Sequence, residues 1–159
     1  MFEPIEIEEL PPAHPVATFN GFWRREAGEN NMAPWSSFDA ADHPRILPWL
    51  MLFKYDDAEN GTCSRLRCTV CGSGCTTLYG FSYQGRLVGE DLLPGEAAYQ
   101  RDEFERVTSG FGALFTRAHL PNPNREKVSV YRGAFPFTSD GHGVDRIMIV
   151  VATISHEVT

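Results

Sequence analysis

The residues best equipped for chemistry are four cysteines close together, Cys63, Cys68, Cys71 and Cys75, spaced C-x4-C-x2-C-x3-C. Thiolates are soft ligands, and such spacing suits zinc or an iron–sulfur cluster. Backbone geometry argues the other way. Read as a strand, Thr62–Cys71 puts Cys68 with Leu66 and Val70 on an apolar face. Cys63 and Cys71 then share the opposite face with Arg65, Arg67 and Thr69, because side chains alternate across a sheet. Four ligands cannot meet one ion from two faces. The expected reading is core and surface thiols. The alternative is a metal-binding or redox-responsive protein using Cys63, Cys68, Cys71 and Cys75. Cys71 and Cys75, a helical i, i+4 pair, lie near the limit of disulfide reach.

The other reactive side chains are less suggestive. The histidines are His14, His43, His119, His142 and His156. His119 falls in a strand and reads as a partly exposed sheet residue, and His142 reads as a solvated turn residue. No nucleophile elbow, phosphate-binding glycine loop or paired catalytic histidine appears in the sequence. Gly72–Ser73–Gly74–Cys75 is glycine-rich but has no following lysine, so it reads as a strand-to-helix turn. Asp102, Glu103 and Glu105 read as the solvated face of a helix. Nothing here marks an enzyme.

Composition bounds the partners. With 159 residues, 42% of them hydrophobic, the chain can build one core. A net charge of −7 and the absence of a basic run argue against a nucleic-acid backbone or an anionic membrane surface. Met1–Leu10 carries Glu3, Glu6, Glu8 and Glu9 and no basic residue, which is wrong for a signal peptide. The longest apolar stretches, Ile46–Phe53 and Ile147–Ile154, fall well short of the roughly 20 residues a spanning helix needs. Clustered rather than dispersed cysteines suggest reduced thiols. A soluble, cytoplasmic protein is expected.

The elements that must position these residues follow from periodicity. Met1–Pro15 is an acidic, proline-punctuated arm, extended and ordered only by packing. Val16–Ala27 predicts a helix with Phe19, Phe22 and Trp23 on one stripe. That stripe either covers the chain's own core or serves as a dimer or partner surface. Asp42–Pro48 predicts a short helix capped by Asp39 or Asp42. Trp49–Tyr55 and Thr62–Cys71 predict a hairpin across an Asp56–Gly61 turn, and Cys75–Tyr79 one helical turn. Pro94–Gly110 predicts the longest helix, with Ala97, Phe104, Val107 and Phe111 on one face. Gly112–Leu120, Lys127–Phe137 and Val144–Ile154 predict three turn-linked strands, the last suited to the middle of a sheet. The outcome is an α+β fold. A five-stranded antiparallel sheet carries helices on one face and an N-terminal helix, forming a single domain over residues 16–159.

That order resembles a PAS domain, and local residues sharpen the likeness. Trp23–Arg24, Ser37–Phe38–Asp39 and Ile46–Leu47–Pro48 resemble the opening of a bacterial PAS family long catalogued as a domain of unknown function. Gly72–Ser73 stands where that family has Gly-Thr, Tyr79–Gly80 where it has aromatic-Gly, and Tyr83–Gln84–Gly85 where it has Leu-x-Gly. Phe135–Pro136–Phe137, the Ser139–Gly143 turn and Val144–Asp145–Arg146–Ile147 complete the likeness, which covers Val16 to Ile154. Three residues before Gly72, where the family usually has arginine, stands Thr69, with Arg67 two residues earlier.

The resemblance implies a stand-alone sensory or regulatory module without catalysis, acting through protein–protein interaction. A homodimer or another protein would be its partner, and a small-molecule ligand could sit between sheet and helices. Cys68, Tyr79, Phe104, Phe111, Tyr131 and Met148 are the expected cavity residues. Haem-binding PAS domains take an axial histidine from the long helix, and Pro94–Gly110 contains none. The Asn-Cys-Arg-Phe segment of flavin photosensors is also absent. The resemblance therefore names no cofactor.

Overall fold

The computed structural model describes residues 2–55, 66–122 and 125–158. Seven strands form one sheet: β1 (Phe2–Ile5), β2 (Ala33–Pro34), β3 (Leu50–Tyr55), β4 (Leu66–Cys71), β5 (Leu114–Asn122), β6 (Arg125–Thr138) and β7 (Arg146–Thr153). Their order is β1-β5-β6-β7-β3-β4, with every neighbouring pair antiparallel, and β2 adds to β6 in parallel. The five expected strands form the continuous block β5-β6-β7-β3-β4. β7, the near-continuous apolar run, lies inside it between β6 and β3. The two additional strands are short. β1 comes from the acidic arm, and it tolerates Pro4 because an edge strand has backbone donors to spare. The expected Asp56–Gly61 turn and Cys63 lie outside the described residues.

Three α-helices cover the sheet: α1 (Pro15–Ala27), α2 (Ser73–Tyr79) and α3 (Pro94–Arg106). Helices α2 and α3 pack on one face, against Phe53, Leu120, Val130, Ile147 and Ile149. We call this the inner face. Helix α1 packs on the outer face, against Leu50, Phe135, Phe137, Met148 and Val150. Phe19 and Trp23 are completely buried there, and Phe22 is half-buried. The Trp23 indole also donates to the Pro136 carbonyl at 2.9 Å. The aromatic stripe thus serves the chain's own core, and burying each large ring contributes on the order of 2–3 kcal/mol. Close approach needs Gly133, where a Cβ would meet Val16 Cγ1 at 2.8 Å.

Local differences from the expectations have local causes. The segment expected as one helix over Asp42–Pro48 forms separate 3-10 turns, Ala40–Asp42 and Leu47–Trp49. Asp39 caps the first by accepting from the Ala41 amide. Pro44 keeps His43 out of the helical region, at φ −129° and ψ +44°, while Pro48 is accepted within the first turn of Leu47–Trp49. The long helix ends at Arg106 and widens into a π turn, Val107–Phe111, where Gly110 has φ +100°. That widening removes Phe111 from the buried stripe.

Two of the motifs, Ile46–Leu47–Pro48 and Gly72–Ser73, meet in space. A Cβ at Gly72 would lie 2.4 Å from the Pro48 carbonyl oxygen, so the Leu47–Pro48 turn packs directly on the strand-to-helix turn. Gly80 ends α2 in the left-handed region at φ +82°. Gly85, at φ +89°, donates to the Cys68 carbonyl and brings the following loop along the free edge of β4. Among the described residues, no helix is long and apolar enough to cross a membrane.

Candidate functional site

The inner layer contains a charged pair. Arg132 enters it from β6, between the inward-facing Val130 and Ala134. Glu103 enters it from α3, and the two side chains form a direct ion pair with each only 3% exposed. Burial works against the charge on Arg132. The Glu103 carboxylate, as a charge and as a hydrogen-bond acceptor, outweighs that effect, so the Arg132 pKa is raised and the side chain stays cationic. The Thr116 hydroxyl donates to the other Glu103 oxygen at 3.3 Å, and the Tyr99 hydroxyl lies 3.1 Å from Thr116. Tyr79 hydrogen-bonds the guanidinium. Burial raises the pKa values of Tyr79, Tyr83 and Tyr99, so all three phenols stay neutral, and the Tyr79 oxygen accepts from the guanidinium. A core charge left alone is costly, and here each has both an opposite charge and hydrogen bonds.

This network borders a cavity of about 50 Å³ lined by Phe2, Tyr79, Tyr83, Tyr99, Gln100 and Arg132, among others. It is a space for water-sized guests, since one water occupies at least ~10–15 Å³ by this measure. Gln100 Oε1 accepts from the Gly89 amide at 2.8 Å and so ties α3 to the loop before it. On the other side of Tyr99 an open groove of about 360 Å³ runs between β1, α3 and β5, and Glu103 and Thr116 form part of its floor. The arrangement offers ring faces, neutral phenols and one fixed cation–anion pair.

Of the expected cavity residues, Tyr79 lines this space. Cys68 and Phe104 are buried in the same inner layer, with Phe104 edge-on to Phe53 at 5.0 Å. Tyr131 and Met148 lie on the outer face, because their neighbours Arg132 and Ile147 take the inward phase. Phe111 is 62% exposed beneath the Arg106 guanidinium. Glu103, expected on a solvated face, is buried because it lies on the same helical arc as Gln100 and Val107. Strand alternation carried the signal for Arg132, midway between Val130 and Ala134. Arg67, for its part, hydrogen-bonds the Gly85 carbonyl at the surface.

The cysteine phase also changes. A register slip at Leu52/Phe53 sets Phe53 opposite Cys68 and Met51 opposite Cys71. The extra residue turns Val70 outward, 52% exposed, and Cys71 inward. Cys68, Cys71 and Cys75 therefore pack against one cluster, not on two faces. Burial pushes the Cys68 thiol up to about 12 and raises that of Cys75 too, with Cys71 nearby adding to both. Among the described residues, no group of three or more histidine, cysteine or acidic side chains is arranged to hold a metal ion. His119 is half-buried with Nδ1 2.8 Å from the Ser129 hydroxyl, and His142 is exposed in its turn.

No protein-family model and no curated protein sequence matches the chain. Among solved structures it is similar to the PAS domain of Bordetella pertussis BvgS, with 16% identity and a TM-score of 0.46 over 75% of this chain and 89% of that one. It is similar to an RNA-binding light-oxygen-voltage receptor, with 13% identity and a TM-score of 0.48 over 98% of this chain and 38% of that one. A fungal LOV-domain photoreceptor gives 16% identity and a TM-score of 0.46 over 75% of this chain and 94% of that one. The chain's own topology is PAS-like: a five-strand antiparallel block with the α2–α3 segment inserted between its second and third strands.

Proposed function

We propose that this chain is a non-catalytic sensory or regulatory module of the cytoplasm. It takes up a small molecule beside Arg132 and passes the signal by contact with another protein, a second copy of itself in the simplest form. One observation carries the reading. The inner core retains the Arg132–Glu103 pair among Tyr79, Tyr99 and Thr116, where apolar side chains of the same volume would pack without a desolvation cost. Such a pair is kept where polarity is needed at that depth. The α1 stripe is used internally, so the partner binds elsewhere.

Native mass spectrometry of the purified protein tests both parts. The expected spectrum shows a dimer, and a non-covalent small-molecule adduct that collisional activation removes. A bare monomer that gains no thermal stability from any compound of a metabolite library would overturn the reading.

A further inference from the structure

The cavity is closed on one side by the chain's own N-terminal strand. The Phe2 ring lies on the Tyr99 ring with centroids 4.4 Å apart and planes 8° apart, a parallel stack. Phe2 lines the cavity, while Pro4, Ile5, Glu6 and Ile7 wall the outer groove, and Tyr99 borders both spaces. β1 is four residues long and pairs only along β5, from Phe2 opposite Ala118 to Ile5 opposite Phe115. It is an edge strand whose two middle residues are exposed. Short edge elements of this kind sit at the low end of local stability. Shut, the cavity of about 50 Å³ admits little more than water. With β1 lifted, the cavity gains the space of the Phe2 ring and opens along β5 toward Thr116, on the side where Tyr99 borders the groove.

We propose that Phe2 is a resident plug that occupies the place of a planar aromatic ligand, which binds by displacing β1 and stacking on Tyr99. The inference rests on the ligand-sensing reading above and adds the ligand's class and the gate that admits it. A flat ring would replace Phe2 on Tyr99. A hydrogen-bonding edge on that ring would reach Gln100, Tyr79 and Arg132, which face the same cavity as Glu96. The competition between plug and ligand also gives the signal a form, because binding frees β1 and uncovers the outer edge of β5.

The probe is 1-anilinonaphthalene-8-sulfonate, an aromatic anion whose flat naphthalene ring can stack on Tyr99 and whose fluorescence reports burial. Its affinity is measured for the unaltered chain, for Phe2→Ala, and for a chain lacking residues 1–5, each checked for native far-UV circular dichroism. If the shortened chain does not fold, Phe2→Ala alone decides. The expected result is binding about tenfold tighter in the unplugged proteins, with the gain abolished by adding Tyr99→Ala. Equal affinity with and without the plug, weakened by Tyr99→Ala in both, would overturn the gate and leave the ligand site standing. A gain that survives Tyr99→Ala would place the dye elsewhere and overturn the plug. No binding by any folded variant would overturn the plug and the ligand-site reading together.

Discussion

Arg132 and Glu103 satisfy one another, and each is costly without the other. Removing one partner leaves a buried charge unpaired, so Glu103→Leu is expected to lower unfolding stability by about 3–5 kcal/mol. Urea denaturation followed by tryptophan fluorescence measures this, and a loss below about 1 kcal/mol would mean that water reaches the pair. His14 makes a second residue-scale case. Fully buried at the start of α1, it accepts from the Val16 amide at 3.2 Å through Nδ1 and meets the Thr153 carbonyl at 2.9 Å through Nε2. That geometry requires the neutral ring with its proton on Nε2. Burial lowers the His14 pKa below the ordinary 6.5, against the opposing pull of the Thr153 and Ala152 backbone. Its contribution is therefore complete above pH 6.5 and lost as the pH falls through that value toward the lower folded pKa. His43, also lowered by burial, acts in the same direction. His14→Asn keeps a capping oxygen but is expected to flatten the fall in melting temperature between pH 7.5 and about 5.5. An unchanged slope would assign the acid sensitivity to other groups.

At the scale of elements, the contact between the Leu47–Pro48 turn and Gly72 holds β3, β4 and α2 in one arrangement. Gly72→Ala would set a methyl carbon 2.4 Å from a backbone oxygen, and backbone cannot step aside as a side chain can. We expect a loss of about 2–4 kcal/mol, within the range for severe steric changes. Gly85→Ala, where a Cβ would meet nothing within 4 Å and only the positive φ of +89° is strained, should cost nearer 1 kcal/mol. Equal losses would show that the turn moves to accommodate the methyl group. The strands and their order were legible in the sequence because alternation and turn residues are local signals. The slip at Leu52/Phe53 was not, because a bulge inserts one residue without altering composition, and it reversed the side of Cys71 and Val70. The α1 stripe was legible as apolar, but its destination depended on Gly133, 117 positions along the chain from the Val16 side chain it admits. β1 went unread because Glu3 and Pro4 are poor strand formers except at an edge.

The whole molecule is a sheet with two covered faces and different tasks on each. The outer face is an aromatic core closed by α1, where Trp23→Glu would bury a charge in place of a fully buried indole. We expect that substitution to abolish cooperative unfolding, measured by calorimetry, and not merely to weaken self-association. A melting temperature within about 3 °C of the parent would contradict the burial seen here. The inner face carries the polar network, the cavity and the strand that shuts it. Of the candidate site, Tyr79 and the inner-layer position of Cys68 and Phe104 were foreseeable from the resemblance. Glu103 was read onto a solvated helix face and Arg132 was not singled out, since charged residues are read outward unless their phase is followed to its end.

The central claim is that this inner-face pair exists for a ligand and not for stability. The double substitution Arg132→Met/Glu103→Leu tests it most directly, with denaturation midpoint and small-molecule retention in native mass spectra measured on the same sample. The account predicts a protein at least as stable as the parent that carries no adduct. A protein several kcal/mol less stable that retains the adduct undiminished would contradict it.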